Sequence, residues 1–215
     1  CSADIIVPDP VASDNCMVAS VINDFNGTDD ASGTYPVGTT IVTWTVTDIY
    51  GNSSQCSMNI TVEDTEVPSI TCPDDIAVNT TPGLCSAFIN VPLPQVDDNC
   101  AVATIVNDYT GTSDASAWYD EGTTTIVWTI TDIHGNVTQC TQVITVTDAQ
   151  LPSVQCVAPI TQNNDPGVCE AFVAVPAPAV SDNCGILSVV NNYTASSDAN
   201  GIYPVGTTTV TWTIT

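Results

Sequence analysis

The sequence contains no lysine and no arginine, and its 24 aspartate and glutamate residues give it a formal net charge of −24. A chain without cationic side chains cannot neutralise phosphate groups, so nucleic acids and anionic membranes are poor partners. Its carboxylates must instead be relieved by solvent, hydrogen-bond donors or bound cations. Hydrophobic residues nevertheless make up 43% of the chain. This share predicts a folded protein, because disordered acidic chains have a low hydrophobic content.

Histidine is limited to His134, and the ten cysteines include no CxxC pair. A Cys/His zinc site could therefore form at most once, and the cysteines indicate disulfides made in an oxidising compartment. No run of 18 apolar residues occurs, so no transmembrane helix is predicted. The sequence also has no Gly-rich phosphate loop and no recurring Ser/His/Asp group. We therefore predict that the protein is not an enzyme.

The strongest positive signal is a repeat with a period of about 84 residues, which no insertion or deletion interrupts. Equivalent positions are held by Cys1, Cys85 and Cys169; by Cys16, Cys100 and Cys184; by Cys56 and Cys140; by Cys72 and Cys156; and by Trp44, Trp128 and Trp212. A fixed period of this kind indicates a tandem array of one structural unit. The Pro and acidic clusters between strands divide the chain into a first copy (1–63), a second copy (64–147) and a third copy (148–215). We interpret the chain as an excerpt from a longer polypeptide, with only the second copy complete.

Apolar and polar residues alternate with a period of two in each copy, as in Val42, Trp44 and Val46 with threonines between them. One apolar face and one Thr/Ser face is typical of antiparallel sheets that enclose a single core. Helical periodicity is absent, and the several short strands in each copy predict an all-β, immunoglobulin-like sandwich. The recurring tryptophans are expected in the core. Trp118 is expected in a loop, because its equivalents are Thr34 and Ile202.

The words that recur with this period resemble a known family. They are Cys72-Pro73, Gly83-Leu84-Cys85-Ser86-Ala87, Asp98-Asn99-Cys100, Thr131-Asp132 with Gly135-Asn136, and Cys140. Their combination is similar to the HYR (hyalin repeat) domain, an immunoglobulin-like module of extracellular proteins, in the bacterial type with four cysteines in each repeat. The resemblance implies adhesion or scaffolding outside the cell, and no catalytic residues.

The resemblance also implies a disulfide pattern. Family members with fewer cysteines keep the positions of Cys72 and Cys140, so these two are expected to pair. The remaining pairs would then be Cys85–Cys100, Cys1–Cys16 and Cys169–Cys184, with Cys56 and Cys156 bonded outside the excerpt. A bridge from Cys56 to Cys72 across the copy boundary stays open as the alternative.

Several carboxylates stand at copy boundaries or loop entries, where oxygen ligands could hold calcium. They are Asp64, Glu66 and Asp148 at the boundaries and Asp48, Asp98 and Asp132 at the loops. A chain without cations of its own would gain from Ca²⁺ there, although no EF-hand loop is present. The alternative is that Asp98 and Asp132 are turn residues that bond the local backbone and that the others are solvated.

Six Asn-x-Ser/Thr sequons are candidate glycosylation sites. They lie at Asn26, Asn52, Asn59, Asn79, Asn136 and Asn192. Turn chemistry is an alternative explanation for Asn52 and Asn136, which occupy equivalent Gly-Asn positions.

Uniform spacing without loop insertions favours a structural role, because a ligand-binding copy usually has a distinctive loop. We predict a component of an extracellular fibril or cell-surface stalk that contacts neighbouring repeats and further copies of itself. The absence of lysine and arginine also removes every trypsin-type cleavage site. The alternatives are an adhesin whose loops bind a glycan or a protein, and a spacer attached to a secreted enzyme.

Overall fold

The computed structural model describes all residues from Cys1 to Thr215 and consists of 19 β-strands joined by turns and loops. The prediction of an all-β fold is confirmed. No helix in the structure has the length and the apolar character needed to cross a membrane.

The strands follow the copies of the repeat. The first copy contains β1 (Ser2–Ile5), β2 (Val18–Asn23), β3 (Gly33–Pro36), β4 (Gly38–Asp48) and β5 (Ser53–Val62). The second copy contains β6 (Ser69–Thr71), β7 (Ile76–Asn79), β8 (Ser86–Ile89), β9 (Gln95–Asp97), β10 (Val102–Asn107), β11 (Ala117–Asp120), β12 (Gly122–Asp132) and β13 (Val137–Thr147). The third copy contains β14 (Ser153–Gln155), β15 (Glu170–Val173), β16 (Ala179–Ser181), β17 (Val189–Asn191), β18 (Gly201–Pro204) and β19 (Trp212–Ile214).

The first copy shows how the alternation builds a sandwich. Strands β2, β4 and β5 form one antiparallel sheet, and β1 pairs with β3 in another. Val42 and Trp44 of β4 are buried in a common cluster with Tyr35 of β3 and Ile60 of β5. The threonines between the apolar residues therefore point away from the core, as expected for a pleated strand with a period of two.

The second and third copies repeat this arrangement. In the second copy the main sheet has the order β10-β12-β13-β7, with β7 parallel to β13, and β8 pairs with β11. In the third copy β15 pairs with β18 and β17 pairs with β19. Trp128 is fully buried, as expected for the recurring tryptophans. The expectation for Trp118 was wrong, because this residue lies on β11, opposite Phe88 of β8, and is 50% exposed.

An equivalent tyrosine fixes the same corner in every copy, and it is fully buried in the first two copies and partly buried in the third. The hydroxyl of Tyr119 donates to the carbonyl of Ala115 at 2.6 Å, and its ring stacks on Tyr109 with the centroids 4.4 Å apart. The equivalent hydroxyls of Tyr35 and Tyr203 donate to the carbonyls four residues upstream at 2.5 and 2.6 Å. Because a buried hydroxyl needs a partner, this bond ties each corner to the strand that follows it.

Tyr119 is expected to make the fold sensitive to strong alkali. Burial, with smaller contributions from Tyr109 and Asp114, raises the pKa of the Tyr119 hydroxyl to about 12. The folded chain therefore holds this proton where the unfolded chain, with a tyrosine pKa of about 10, loses it. Stability from this group should be complete below about pH 10 and should fall between about pH 10 and pH 12.

The Tyr119→Phe variant tests this expectation. Urea unfolding of thiol-alkylated protein should show a smaller loss of stability across that pH window than the parent, although the variant also lacks the bond to Ala115 at neutral pH. Equal pH dependence in both proteins would contradict the assignment to Tyr119.

Two compact units divide the chain, and their limits cut through the second copy. One unit consists of Cys1–Cys72, Pro94–Val106 and Trp128–Cys140, and the other consists of Pro73–Leu93, Asn107–Val127 and Thr141–Thr215. Each unit therefore contains residues from two consecutive copies. The junction between the first and second copies lies inside one unit, and the junction between the second and third copies lies inside the other.

Candidate functional site: the junctions between repeats

Three disulfides are present, and two of them connect consecutive copies. Cys72 bonds Cys140 within the second copy, which is the pairing that the family resemblance implied. Cys1 of the first copy bonds Cys100 of the second, and Cys85 of the second copy bonds Cys184 of the third. Both inter-copy bonds span 99 residues, and their Cα atoms are 4.6 and 4.7 Å apart.

The expected pairs Cys1–Cys16, Cys85–Cys100 and Cys169–Cys184 are wrong, and strand length explains the error. The carbonyl of Cys1 accepts from Val37, immediately before β4 begins, whereas Cys16 lies two residues before Val18, which pairs with Asp48 at the end of β4. An 11-residue strand is roughly 35 Å long. A disulfide needs Cα atoms about 4.4–6.8 Å apart, so these two cysteines cannot meet. The alternative bridge from Cys56 to Cys72 is also absent, because Cys72 bonds Cys140.

The first junction surrounds the Cys1–Cys100 bond. Asp64, which begins the second copy, places its Oδ2 atom 3.0 Å from Nδ1 of His134, and its carbonyl accepts from Nδ2 of Asn136 at 3.2 Å. The Asp64 side chain is only 3% exposed. The turn from Asp132 to Asn136 therefore holds the boundary segment at its first residue.

Asp132 is a turn residue, as the alternative to calcium proposed, and so is Asp48, which that alternative expected to be solvated. Asp132 accepts hydrogen bonds from the backbone N–H groups of His134 and Asn136 at 2.8 Å and from the Asn136 side chain at 2.7 Å. Burial raises the pKa of the Asp132 carboxyl, but these bonds outweigh the burial and leave the pKa below its ordinary value. At Asp48, the Asn52 side chain is the main cause of a similarly lowered pKa.

Only one of the two carboxylate oxygens of Asp98 has hydrogen-bond partners. Its Oδ1 atom accepts from the backbone N–H groups of Cys100 and Ala101, both at 2.9 Å. Its Oδ2 atom is buried and has no hydrogen-bond partner. An unpaired buried acceptor costs about 1–3 kcal/mol, and more if it is charged.

Three of the six predicted calcium ligands, Asp64, Asp98 and Asp132, belong to two groups at the first junction that share Asp64. Ligand atoms of Asp64, Asp132 and His134 lie within 4.8 Å of one another, and Asp64 forms a second such group with Asp98 and Cys100. The sulfur of Cys100 is already used in its disulfide and does not bind a metal as a thiolate. The carboxylates of Asp64, Asp98 and Asp132 are therefore the oxygen donors at this place.

The other predicted ligands stay apart from this group. Glu66 is exposed and donates its backbone N–H to Asp64. Asp48 lies in the equivalent turn of the first copy, where Asn52 satisfies it. Asp148 lies at the second junction, and its pKa is lowered first by the Gln150 backbone N–H.

The second junction surrounds the Cys85–Cys184 bond. Nδ2 of Asn183, in the third copy, donates to the Leu84 carbonyl at 2.8 Å and to Asp148 Oδ1 at 3.2 Å. The same Asp148 oxygen accepts from the Thr80 hydroxyl at 3.1 Å. Oδ2 of Asp182, which is equivalent to Asp98, is again buried without a partner. The unsatisfied carboxylate oxygen is thus a repeated property of the junctions.

The sequons differ in how free their asparagine nitrogens are. Nδ2 of Asn26, Asn52 and Asn136 donates to Asp30, Asp48 and Asp132 at 2.9, 2.7 and 2.7 Å, respectively. The side chains of the other three are exposed, and these are Asn59, Asn79 and Asn192. Turn chemistry therefore accounts for Asn52 and Asn136, and a glycan there would have to displace a turn bond.

Comparison with known proteins bears on the whole chain. The HYR domain family matches residues 1–62, 63–146 and 147–215. Hyalin from Strongylocentrotus purpuratus is 29% identical over 98% of this chain, and hyalin from Lytechinus variegatus is 29% identical over 86%. The chain spans only 17% and 35% of the lengths of these two relatives.

A further relative and one solved structure were also found. The Sushi, von Willebrand factor type A, EGF and pentraxin domain-containing protein 1 of Rattus norvegicus is 29% identical over 71% of this chain and 4% of its own length. A protocadherin gammaB7 EC3-6 cis-dimer structure superposes with a TM-score of 0.32 at 16% identity, covering 94% of this chain and 60% of that one.

Proposed function

Because this chain belongs to the HYR domain family, we propose that it is a structural segment of an extracellular fibril or cell-surface stalk made of tandem HYR repeats. The observation that supports this proposal is the covalent bond between consecutive copies, which occurs at the same two repeat positions at both junctions. Disulfides of this kind persist in oxidising compartments, which agrees with a location outside the cell. No catalytic role is proposed.

The inter-copy bonds give a pulling force a short covalent route. From Cys1 the route crosses to Cys100, follows the chain back to Cys85, and crosses again to Cys184. In the second copy, which runs from residue 64 to residue 147, only the segment between Cys85 and Cys100 is loaded. The rest of the sandwich is outside the route, so unfolding of a copy can lengthen such a fibril only by the extension of that segment.

Stretching the chain from its two ends in a single-molecule instrument tests the proposal. With the disulfides intact, only the segment from Cys85 to Cys100 and the segment from Cys184 to Thr215 can extend, to roughly 165 Å in total. After reduction, all 215 residues should extend to roughly 770 Å. Equal lengths before and after reduction would contradict a mechanical role for the junction bonds.

Calcium at the first junction is a finer part of the proposal. The Asp64 carboxylate lies close to that of Asp132 and to that of Asp98, and the buried Asp98 Oδ2 atom has no hydrogen-bond partner. Calcium prefers oxygen ligands of this type, and the chain has no lysine or arginine to replace it. The bound ion would stiffen the boundary between the first and second copies.

Replacing Asp98 by asparagine tests this site against a matched control. Asparagine keeps an acceptor for the Cys100 N–H but removes the charge of the unpaired oxygen. We expect Ca²⁺ to raise the melting temperature of the parent and of Asp14→Asn, in which the equivalent turn of the first copy is changed, but not of Asp98→Asn. No calorimetric heat and no change in melting temperature with Ca²⁺ in the parent would contradict the calcium proposal.

Glycosylation is proposed for Asn59, Asn79 and Asn192, which are exposed and whose Nδ2 atoms, unlike those of Asn26, Asn52 and Asn136, are not held by a local hydrogen bond. The intact mass of protein from its natural source should exceed that of the bare polypeptide, and Asn→Gln changes at these positions should remove the excess in steps. A native mass equal to the bare polypeptide would contradict it.

A further inference from the structure

Four cysteines, Cys16, Cys56, Cys156 and Cys169, are exposed and unbonded. The three disulfides follow two spacings, 68 residues within a copy and 99 residues between copies. By these spacings, Cys16 would need a partner 99 residues before it, as Cys100 has, and Cys169 one 99 residues after it, as Cys85 has. Cys56 would need a partner 68 residues before it, as Cys140 has, and Cys156 one 68 residues after it, as Cys72 has. All four positions lie outside residues 1–215. Two spacings therefore account for every bonded and every free cysteine.

Cys16 is already held in the conformation of its bonded equivalents. The Asp14 carboxylate accepts from the N–H groups of Cys16 and Met17 at 2.7 and 3.1 Å. Asp98 and Asp182 make the same bonds to Cys100 and Cys184, both at 2.9 Å. The loop that presents the cysteine of the later copy in an inter-copy disulfide is therefore formed at Cys16 without a bonded partner.

Cys169 is held like Cys1 and Cys85, which are the cysteines of the earlier copy in the two inter-copy disulfides. Its carbonyl accepts from the Val205 N–H at 3.0 Å. In the same way, the carbonyls of Cys1 and Cys85 accept from Val37 and Glu121 at 3.2 and 3.0 Å. The strand pair that positions this sulfur at the end of the sandwich is therefore the same in all three copies.

Because Cys16 and Cys169 are each held like a bonded equivalent, we infer that they are complementary attachment points for further HYR repeats. Cys169 bonds a repeat that presents a cysteine in the position of Cys100, and Cys16 bonds a repeat that presents one in the position of Cys85. A second copy of this chain offers both positions, so two chains can join in one direction through Cys169 of one and Cys16 of the other.

The bond forms by thiol–disulfide exchange with a low-molecular-weight disulfide such as oxidised glutathione. One cysteine thiolate attacks the glutathione disulfide and releases one glutathione thiolate. The second cysteine thiolate then attacks the mixed disulfide and releases the other. In total, two protein thiols lose two protons and two electrons, and one glutathione disulfide is reduced to two thiols.

Two variants test the inference, one that keeps Cys169 and one that keeps Cys16 as its only free cysteine. Both have the background Cys56→Ser and Cys156→Ser, and one also has Cys16→Ser while the other has Cys169→Ser. They are mixed in equal amounts in a glutathione redox buffer, with one chain isotopically labelled, and the disulfide-linked dimers are counted by mass. We expect the mixed Cys169–Cys16 dimer to exceed both homodimers several-fold.

Random pairing would make the mixed dimer only half of the product. The inference would be overturned by that proportion, by a majority of homodimers, or by the absence of any dimer. Retention of the three native disulfides and of the parent circular dichroism spectrum shows that each variant is folded. A further Asp14→Ala change on the Cys16 chain should lower the mixed fraction towards random, because it releases the loop without altering the thiol. An unchanged fraction would also count against the inference.

This inference rests on the proposed array, but the two can fail separately. Random pairing would leave the short covalent route through Cys1–Cys100 and Cys85–Cys184 untouched. Equal stretched lengths before and after reduction would refute the mechanical role and leave selective pairing in place.

Discussion

Replacing Cys72 and Cys140 together by serine is expected to lower the unfolding free energy of the second copy by about 4 kcal/mol. The bond joins residues 68 apart, and its loss returns the corresponding conformational freedom to the unfolded chain. Urea unfolding followed by circular dichroism measures the change. Hydrogen exchange of the β12 and β13 amides would locate it in the second copy.

The chain provides a matched control for this change. Cys56 and Cys156 occupy the same repeat positions as Cys140 and Cys72, but they are exposed and unbonded. Serine at both positions should alter stability by less than about 0.5 kcal/mol. A similar loss in both double variants would mean that serine acts through packing, and would contradict a stabilising bond.

The Trp128→Ala variant is expected to lose about 3–5 kcal/mol of unfolding free energy, again in the second copy. Trp128 is fully buried between Ile126 and Ile130 on the inner face of β12, and its removal leaves a cavity that a close-packed core fills only in part. The measurement is again urea unfolding, with circular dichroism as the signal.

Trp118→Ala is the control, because Trp118 lies in the same copy but is half exposed. Its ring makes a T-shaped contact with Phe88, with the centroids 5.8 Å apart, and half of the residue is in solvent, so its loss should cost about 1 kcal/mol or less. If the two tryptophans cost the same, the inner face of β12 would not be the core of the copy.

The strands and their faces could be predicted because each apolar residue alternates with a threonine or serine. Val42 and Trp44 are buried as the alternation requires. The buried Tyr119 does not follow from the alternation along β12, because this residue lies on the short strand β11, just before β12 begins. The spacing of Ala115 and Tyr119, which repeats at Ala31 and Tyr35, was the available signal.

The junctions were harder to predict because they depend on contacts between copies. Cys1 and Cys16 are close in sequence, which favours a local bond, but β4 separates them by its full length. The turn hydrogen bonds of Asp98 could be expected from the Asp-Asn-Cys motif in which it stands. The burial of its second oxygen depends on what packs against the loop, and no periodicity within a single copy contains that information.

The disulfide map of the oxidised protein tests the central claim most directly. Free thiols are alkylated, the chain is digested with pepsin in acid to prevent exchange, and the linked peptides are identified by mass spectrometry. Bonds Cys1–Cys100, Cys72–Cys140 and Cys85–Cys184 are the predicted result. Linked peptides that join Cys1 to Cys16, Cys85 to Cys100 and Cys169 to Cys184 would show that each copy is closed on itself, and would contradict covalent coupling between repeats.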